Sequence, residues 1–223
     1  MKKIMFNDKY GLTQAVLDGR KTFTRRIIDY SRNKVFLDLL GDEYYMKHEG
    51  ALSYDYDDDV LRIDDDFDCY ILKPKYKIGE KVAIAQSYSQ CGNFPDYELD
   101  EDGYPVMTKR SGYFNKMFTR ADLMPHHIRI TNIKVERLQD ISNEDCLNEG
   151  IMTTMHKSAD GEWGRYYWHH GVTRSNCPNG QYKEYDTPLE AFSSLIDCVC
   201  GRYTWESNPY VIVYEFELIN KQS

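Results

Sequence analysis

Two long segments constrain this chain most. Residues 126–138, HHIRITNIKVERL, set Ile128, Ile130, Ile133 and Val135 in alternation with polar residues. That period of two marks a strand with one buried face. The alternation slips once, near Thr131 and Asn132, where an extra residue reads as a β-bulge. The closing segment, NPYVIVYEFELI, reads as a buried strand, with Pro209 at its start where a missing N–H is tolerated.

Helix signals lie between the strands. Residues 10–18, YGLTQAVLD, carry Leu12, Ala15 and Val16 at helical spacing, and Gly19 suits a left-handed stop. FTRRII then enters a strand. Ser142 with Asp145 forms a capping-box variant for a short helix ending near Glu149 and Gly150. Thr187, Pro188 and Glu190 supply N-cap, N1 and N3 of another helix, with Leu189, Phe192, Leu195, Ile196 and Val199 at core spacing and a stop at Gly201. The mixture predicts an α+β fold.

Four stretches complete the chain. Within residues 29–75, Asp57–Asp59 and Asp64–Asp66 flank the strand-like run Val60 to Ile63, which predicts a peripheral β-meander with solvated acidic edges. Residues 76–90 predict a turn at Ile78-Gly79-Glu80 and a strand from Lys81 to Tyr88. Residues 91–118 read as an irregular loop with a hairpin tip at Asp102-Gly103. Residues 152–185, containing EWGRYYWHH, read as a low-regularity region folding partly as a helix over the core. The sequence has no repeats, no low-complexity linker and no clear domain boundary, so residues 1–223 are expected to form one domain.

A net charge of −8 argues against non-specific coating of duplex nucleic acid, which needs a basic face, but allows a small basic pocket. No run of 18 or more apolar residues is present, and the basic N-terminus lacks an apolar region like that of a signal peptide. A cytoplasmic protein with no membrane partner is the expectation. The six cysteines, at 69, 91, 146, 177, 198 and 200, form no CxxC and read as reduced structural thiols. The His-His pairs at 126/127 and 169/170 supply no zinc site, because neighbouring side chains diverge. No metal or other cofactor is expected.

Against the acidic background, Gly19-Arg20-Lys21-Thr22-Phe23-Thr24-Arg25-Arg26 holds four cations and two hydroxyls with no acid. It begins where the first helix stops, so the turn could aim Lys21 and Thr24 at one point. Threonine is a poor nucleophile without a base, and lysine serves as one when its pKa is lowered, a direction in which flanking arginines push. A carboxylate would be wanted to orient the lysine or handle a proton. The alternative is a basic surface turn whose arginines pair with local acids.

GRKTFTRR after a short helix resembles the signature of the ASCH domain family, which has a PUA-like fold. YKIGEKVAIAQSY, RITNIKVERLQDISNEDCLNEGI and FSSLIDCVCG followed by NPYVIVYEFELI are similar, in the same order, to further blocks of the longer, phage-associated members. The resemblance covers both ends and the middle. Residues 29–75 and 152–185, with much of 91–120, look like insertions. It implies a small mixed β-barrel with short helices around it, a cleft lined by the GRKT loop, and association with RNA or modified nucleosides. Matched to the bacterial N4-acetylcytidine amidohydrolases of the family, Thr24 would be the nucleophile, Lys21 its base and Glu149 the proton-handling or orienting partner. Arg26 would bind substrate oxygen; apart from that match, Arg20 and Arg25 are candidates for ligand contact or for plain surface pairing. Where longer members carry Arg-Glu-Thr-Trp, this chain has Ala85-Gln86-Ser87-Tyr88. Gln86 can still hydrogen-bond a base edge, and Tyr88, like Trp163 and Tyr167, offers a stacking face.

These readings predict a protein that binds nucleic acid or a modified nucleoside through a cationic cleft. The alternatives are an amidohydrolase on N-acylated nucleosides using Lys21, Thr24 and Glu149, a metal-independent ribonuclease, and a phage-derived interaction factor using the acidic insertion.

Overall fold

The computed structural model describes residues 1–28, 34–42, 46, 51–64, 68–91, 98–106, 112–157, 160–173 and 182–219. Its strands are β1 (Lys3–Ile4), β2 (Phe23–Ile27), β3 (Ala51–Asp55), β4 (Val60–Asp64), β5 (Cys69–Leu72), β6 (Lys81–Ile84), β7 (Glu98–Leu99), β8 (Pro105–Val106), β9 (His127–Arg137), β10 (Met152–Lys157), β11 (Trp163–Thr173), β12 (Tyr182–Tyr185) and β13 (Tyr210–Ile219). The α-helices are α1 (Leu12–Leu17), α2 (Lys34–Gly41), α3 (Tyr88–Cys91), α4 (Asn143–Asn148), α5 (Pro188–Cys200) and α6 (Thr204–Ser207).

The two segments that dominate the sequence, β9 and β13, pair antiparallel at the centre of a mixed sheet of order β1-β6-β9-β13-β2. The expected bulge is present: Glu215 lies opposite Asn132 and Phe216 opposite Ile130, leaving Thr131 as the extra residue. Its effect on parity is what the core needs. Ile128 and Ile130 are even-numbered, Ile133 is odd, and the inserted residue returns all three to one face. All three are fully buried. Asn132 covers the disruption, accepting from Ile133 N–H at 2.9 Å and donating to Glu215 at 3.2 Å.

The fold is α+β, but among the described residues strand pairing closes no barrel. The sheet stays open, with β1 and β2 as its edges. At two residues β1 is too short to pair onward. A side chain spans the gap instead, with Arg26 of β2 donating to the Met5 carbonyl at 2.6 Å.

The segment at 29–75 does form a meander, β3-β4-β5, but it is not peripheral. Leu61 and Ile63 are fully buried in the same hydrophobic cluster as β9 and β13. Its acidic turn is locally satisfied: Asp55 accepts from the Asp57 and Asp58 N–H groups, and Arg62 bridges Asp55 and Asp58. Asp65 and Asp66 lie outside the described residues.

Two other expectations change. The strand from Lys81 stops at Ile84, because Ser87 and Gln90 cap α3: Ser87 N–H donates to Gln90 Oε1 at 2.8 Å and Gln90 N–H to Ser87 Oγ at 3.4 Å. Residues 152–185 are no helix over the core. Their described part is a second antiparallel sheet, β10-β11-β12, on which α5 packs. Aromatic and β-branched residues favour that pleated surface. The hairpin around Gly103 and the capped starts of α4 and α5 match the sequence reading.

Because β4 shares the central core, Leu61→Ala is expected to destabilise the whole chain by about 2–5 kcal/mol in a single unfolding transition. Denaturant titration followed by tryptophan fluorescence and far-UV circular dichroism checks this. A separate early transition would show that the meander folds on its own.

Candidate active site

The site begins with a backbone turn. Gly19 has φ +74° and ends α1 in the left-handed region. The next two N–H groups, of Arg20 and Lys21, both donate to the Ala15 carbonyl at 2.9 Å. Thr22 ties the turn to both neighbours: its N–H donates to Asn148 O at the end of α4, and its carbonyl accepts from Phe216 of β13. Gly150, at φ +99°, lets that end of α4 come close, since a Cβ there would lie 3.4 Å from Ala15 Cβ and 3.6 Å from Lys21 Cβ. Two glycines thus set Lys21 against Glu149.

Lys21 is 2% exposed and Glu149 4%. Lys21 Nζ donates to the Glu149 carbonyl at 2.9 Å and forms a short ion pair with Oε2 of the same residue. The other carboxylate oxygen, Oε1, accepts from Arg25 at 3.2 Å. Arg25 also reaches Glu136 and Asp145, each at 2.7 Å, and Lys134 bridges those two acids at 3.1 and 3.3 Å. The cluster therefore holds three cations (Lys21, Arg25, Lys134) and three carboxylates (Glu136, Asp145, Glu149). Sheet register explains the meeting: Val213 pairs with both Arg25 and Lys134, so these residues share a face.

Burial pushes the Lys21 ammonium below its ordinary value. Glu149 opposes that shift, while Arg26 and Arg25 add to it. Burial would raise the Asp145 carboxyl, but the hydrogen bond from Arg25 and the Lys134 charge hold it below its usual range. Burial also works against the Arg25 guanidinium, yet its three acids keep it raised.

The network forms one wall of a cavity of about 610 Å³. Lys21, Thr24, Arg25, Arg26 and Glu149 all line it, as does the N-terminal segment Met5–Lys9. The opposite wall is an α5 stripe of Phe192, Leu195, Ile196, Val199 and Cys200, the helical spacing already visible in the sequence. Thr24 is 4% exposed. Lys21 spends its hydrogen bonds on Glu149, so Lys21 and Thr24 share the cavity without bonding to each other.

The other sequence candidates divide. Arg26 lines the cavity half-buried, with its guanidinium 5.7 Å from the Phe6 ring centroid and no carboxylate partner among the described residues. Arg25 belongs to the ion cluster, so its charge is already matched. Arg20 pairs with Asp18 at 2.9 Å and is not among the lining residues. Gln86 is buried with Oε1 unbonded, and Tyr88 is buried where α3 starts; neither lines the cavity. Trp163 is 68% exposed on β11, and Tyr167 packs against the core. The sequence reading missed Lys116, which holds Asp8 at 2.7 Å on the cavity wall, and Phe6. Neither carries a local signal. Among the described residues no group of three or more His, Cys, Asp or Glu could hold a metal, and no helix is long and apolar enough to cross a membrane.

The chain matches no family model, no curated protein and no solved structure.

Removing one carboxylate from a balanced buried cluster strands its cations. Glu149→Gln is expected to cost about 3–5 kcal/mol of stability by chemical denaturation. The Asp145 carboxyl is depressed in the fold, so its contribution is present above the ordinary value of 3.8 and is lost as pH falls through the folded value. Asp145→Asn should flatten the acid limb of a stability-against-pH curve. An unchanged acid limb would contradict the role given to Arg25 and Lys134.

Proposed function

We propose that this chain is an ASCH-type, PUA-like protein that holds a nucleobase or modified nucleoside in the cavity between the Lys21 turn and α5. In this reading the open sheet is a PUA-like barrel whose two edges meet through the Arg26 side chain rather than through backbone pairing. One observation carries the proposal: Lys21, Thr24 and Glu149, matched from three separate family positions, line a single cavity. About 610 Å³ is in the size range of small-molecule sites, and a largely apolar wall with a few polar groups suits a flat heterocycle. The ligand is a nucleoside or a single nucleotide of RNA rather than a duplex, because the cluster beside the cavity is electrically balanced and the protein is acidic.

A second reading rests on a further observation. Lys21 is held below its ordinary pKa, and the buried Thr24 lines the same cavity. That pair suits hydrolysis of an N-acylated nucleoside. Lys21, in its neutral form, takes the Thr24 proton as Oγ1 attacks the acyl carbon. The same proton then passes to the departing amine as the C–N bond breaks, and water cleaves the resulting ester. Glu149 positions Lys21 throughout, and Arg26 faces the acyl oxygen.

Calorimetric titration with cytidine and N4-acetylcytidine, beside an assay for released acetate, tests both readings. Wild type is expected to bind both, and Arg26→Ala to weaken binding by about 10-fold or more. Acetate release is expected from wild type and not from Lys21→Ala or Thr24→Ala. Binding without turnover leaves the binding protein and removes the enzyme. Absence of binding overturns both readings.

A further inference from the structure

The segment Met5–Lys9, which follows β1, lines the cavity and supplies the contacts that fix Arg26. Met5 O accepts from the Arg26 guanidinium at 2.6 Å, and the Phe6 ring centroid lies 5.7 Å from Arg26 Cζ. The same ring centroid lies 6.0 Å from Lys21 Nζ, and Phe6 is 3% exposed. Arg26 stands where this cavity meets a second one, of about 280 Å³, with Met5, Arg26 and Ile27 lining both. We propose that Lys116 is a positioning residue for this site: it clamps the Met5–Lys9 segment, and so keeps Phe6 against Lys21 and Met5 O against Arg26. The inference rests on the reading of this cavity as the functional site, but its first readout needs no ligand.

Lys116 reaches the segment from 110 residues away, on the 3-10 turn Lys116–Phe118. Apolar packing does not hold that turn, since Met117 and Phe118 are 58% and 57% exposed. Two lysines tie it down, in opposite directions. Lys3 of β1 donates to the carbonyls of Lys116, Met117 and Thr119 at 3.0, 2.5 and 2.8 Å. Lys116 Nζ donates back to Phe6 O, to Asp8 Oδ1 at 2.7 Å and to Thr13 Oγ1 of α1 at 3.3 Å. Asp8 Oδ1 also accepts from the Thr13 hydroxyl. Burial would raise the Asp8 carboxyl, but the hydrogen bonds from Lys116 and Thr13 hold it below its ordinary range.

An ammonium has three N–H donors, and these three acceptors use them all. Lys116 therefore lines the cavity with no donor left for a ligand, so it acts through the segment it holds. A lysine ordinarily leaves its charged head in water. The Lys116 side chain is only 13% exposed, and its head joins the N-terminal segment to α1. The charged groups facing Lys21 are Glu149, from the end of α4, and Arg25 and Arg26, from β2. Among the described residues none of these bonds to Lys116, so the clamp reaches Lys21 through Phe6. Releasing it would let water reach Lys21 and take from Arg26 its fixed acceptor.

The test is NMR titration of the Lys21 ε-carbon in the full chain, for wild type, Lys116→Met and Asp8→Ala. Burial is the largest influence on Lys21 and lowers its midpoint, so opening the segment raises it toward 10.5. The two substitutions remove charges of opposite sign and break the same clamp. Both midpoints are therefore expected to rise. Shifts in opposite directions would trace the effect to charge acting through space. An unmoved midpoint with lowered stability would make the clamp purely structural. Either result overturns the proposal. If Lys116→Met fails to fold by circular dichroism, Asp8→Ala decides alone, since loss of an acid by itself lowers a lysine's midpoint: a rise supports the clamp, and a fall or no change overturns it. Calorimetric titration with cytidine follows. Lys116→Met is expected to weaken binding roughly tenfold, as Arg26→Ala does, and unchanged affinity overturns the clamp. Wild type that binds no cytidine removes the nucleoside reading and leaves the Lys21 midpoints to judge the clamp.

Discussion

The Glu149 carboxylate holds this architecture together by dividing itself between two cations. One oxygen takes Lys21 and the other takes Arg25. Lys21 stands on the turn after α1, Arg25 on edge strand β2, and Glu149 at the end of α4. One side chain therefore fixes three elements that share no backbone ladder with one another. Its neighbours Asp145, Glu136 and Lys134 complete a set in which every buried charge has an opposite. Such sets add little net stability over well-packed apolar residues, but they tolerate no missing member. The arrangement reads better as a device for precise positioning than as a source of stability.

That balance changes the meaning of the cationic run. Four positive residues in eight suggest an anion-binding patch. In the fold, Arg20 turns to Asp18, Arg25 is absorbed by three acids and Lys21 by one. Only Arg26 of the four keeps a charge without a carboxylate among the described residues, and it stands where two cavities meet. Cation count was a poor guide to cation availability. The useful distinction lies in strand parity, since Arg25 and Arg26 point to opposite faces of β2.

What was legible in the sequence was local. Ser142 and Thr187 cap helices because their hydroxyls reach a backbone N–H three residues on, and Gly19 stops a helix because its φ is positive. The bulge at Thr131 could be read from a single break in alternation. Glu149 was reachable only through resemblance, for it lies 128 residues from Lys21. Nothing local ties Glu136 and Asp145 to Arg25, at separations of 111 and 120 residues. The sheet of residues 152–185 was misread because WGRYYWHHGVT mixes aromatic and polar residues without clean alternation. α5 packs on this sheet, and Trp168 stacks on Tyr182, so aromatic residues do not mark one face alone. The Ser87–Gln90 capping box that cuts short the strand after Ile84 is a local signal, masked by the apolar run that precedes it.

Lys21 is buried, paired to one carboxylate, and held below the pKa of a free lysine. Titration of the Lys21 ε-carbon resonance by NMR, with Lys21→Met to assign the signal, measures this directly. A midpoint below the ordinary 10.5, moving lower still in Glu149→Gln, is the predicted result. A midpoint at or above 10.5 would make the pair with Glu149 an ordinary salt bridge and contradict the role given to Lys21.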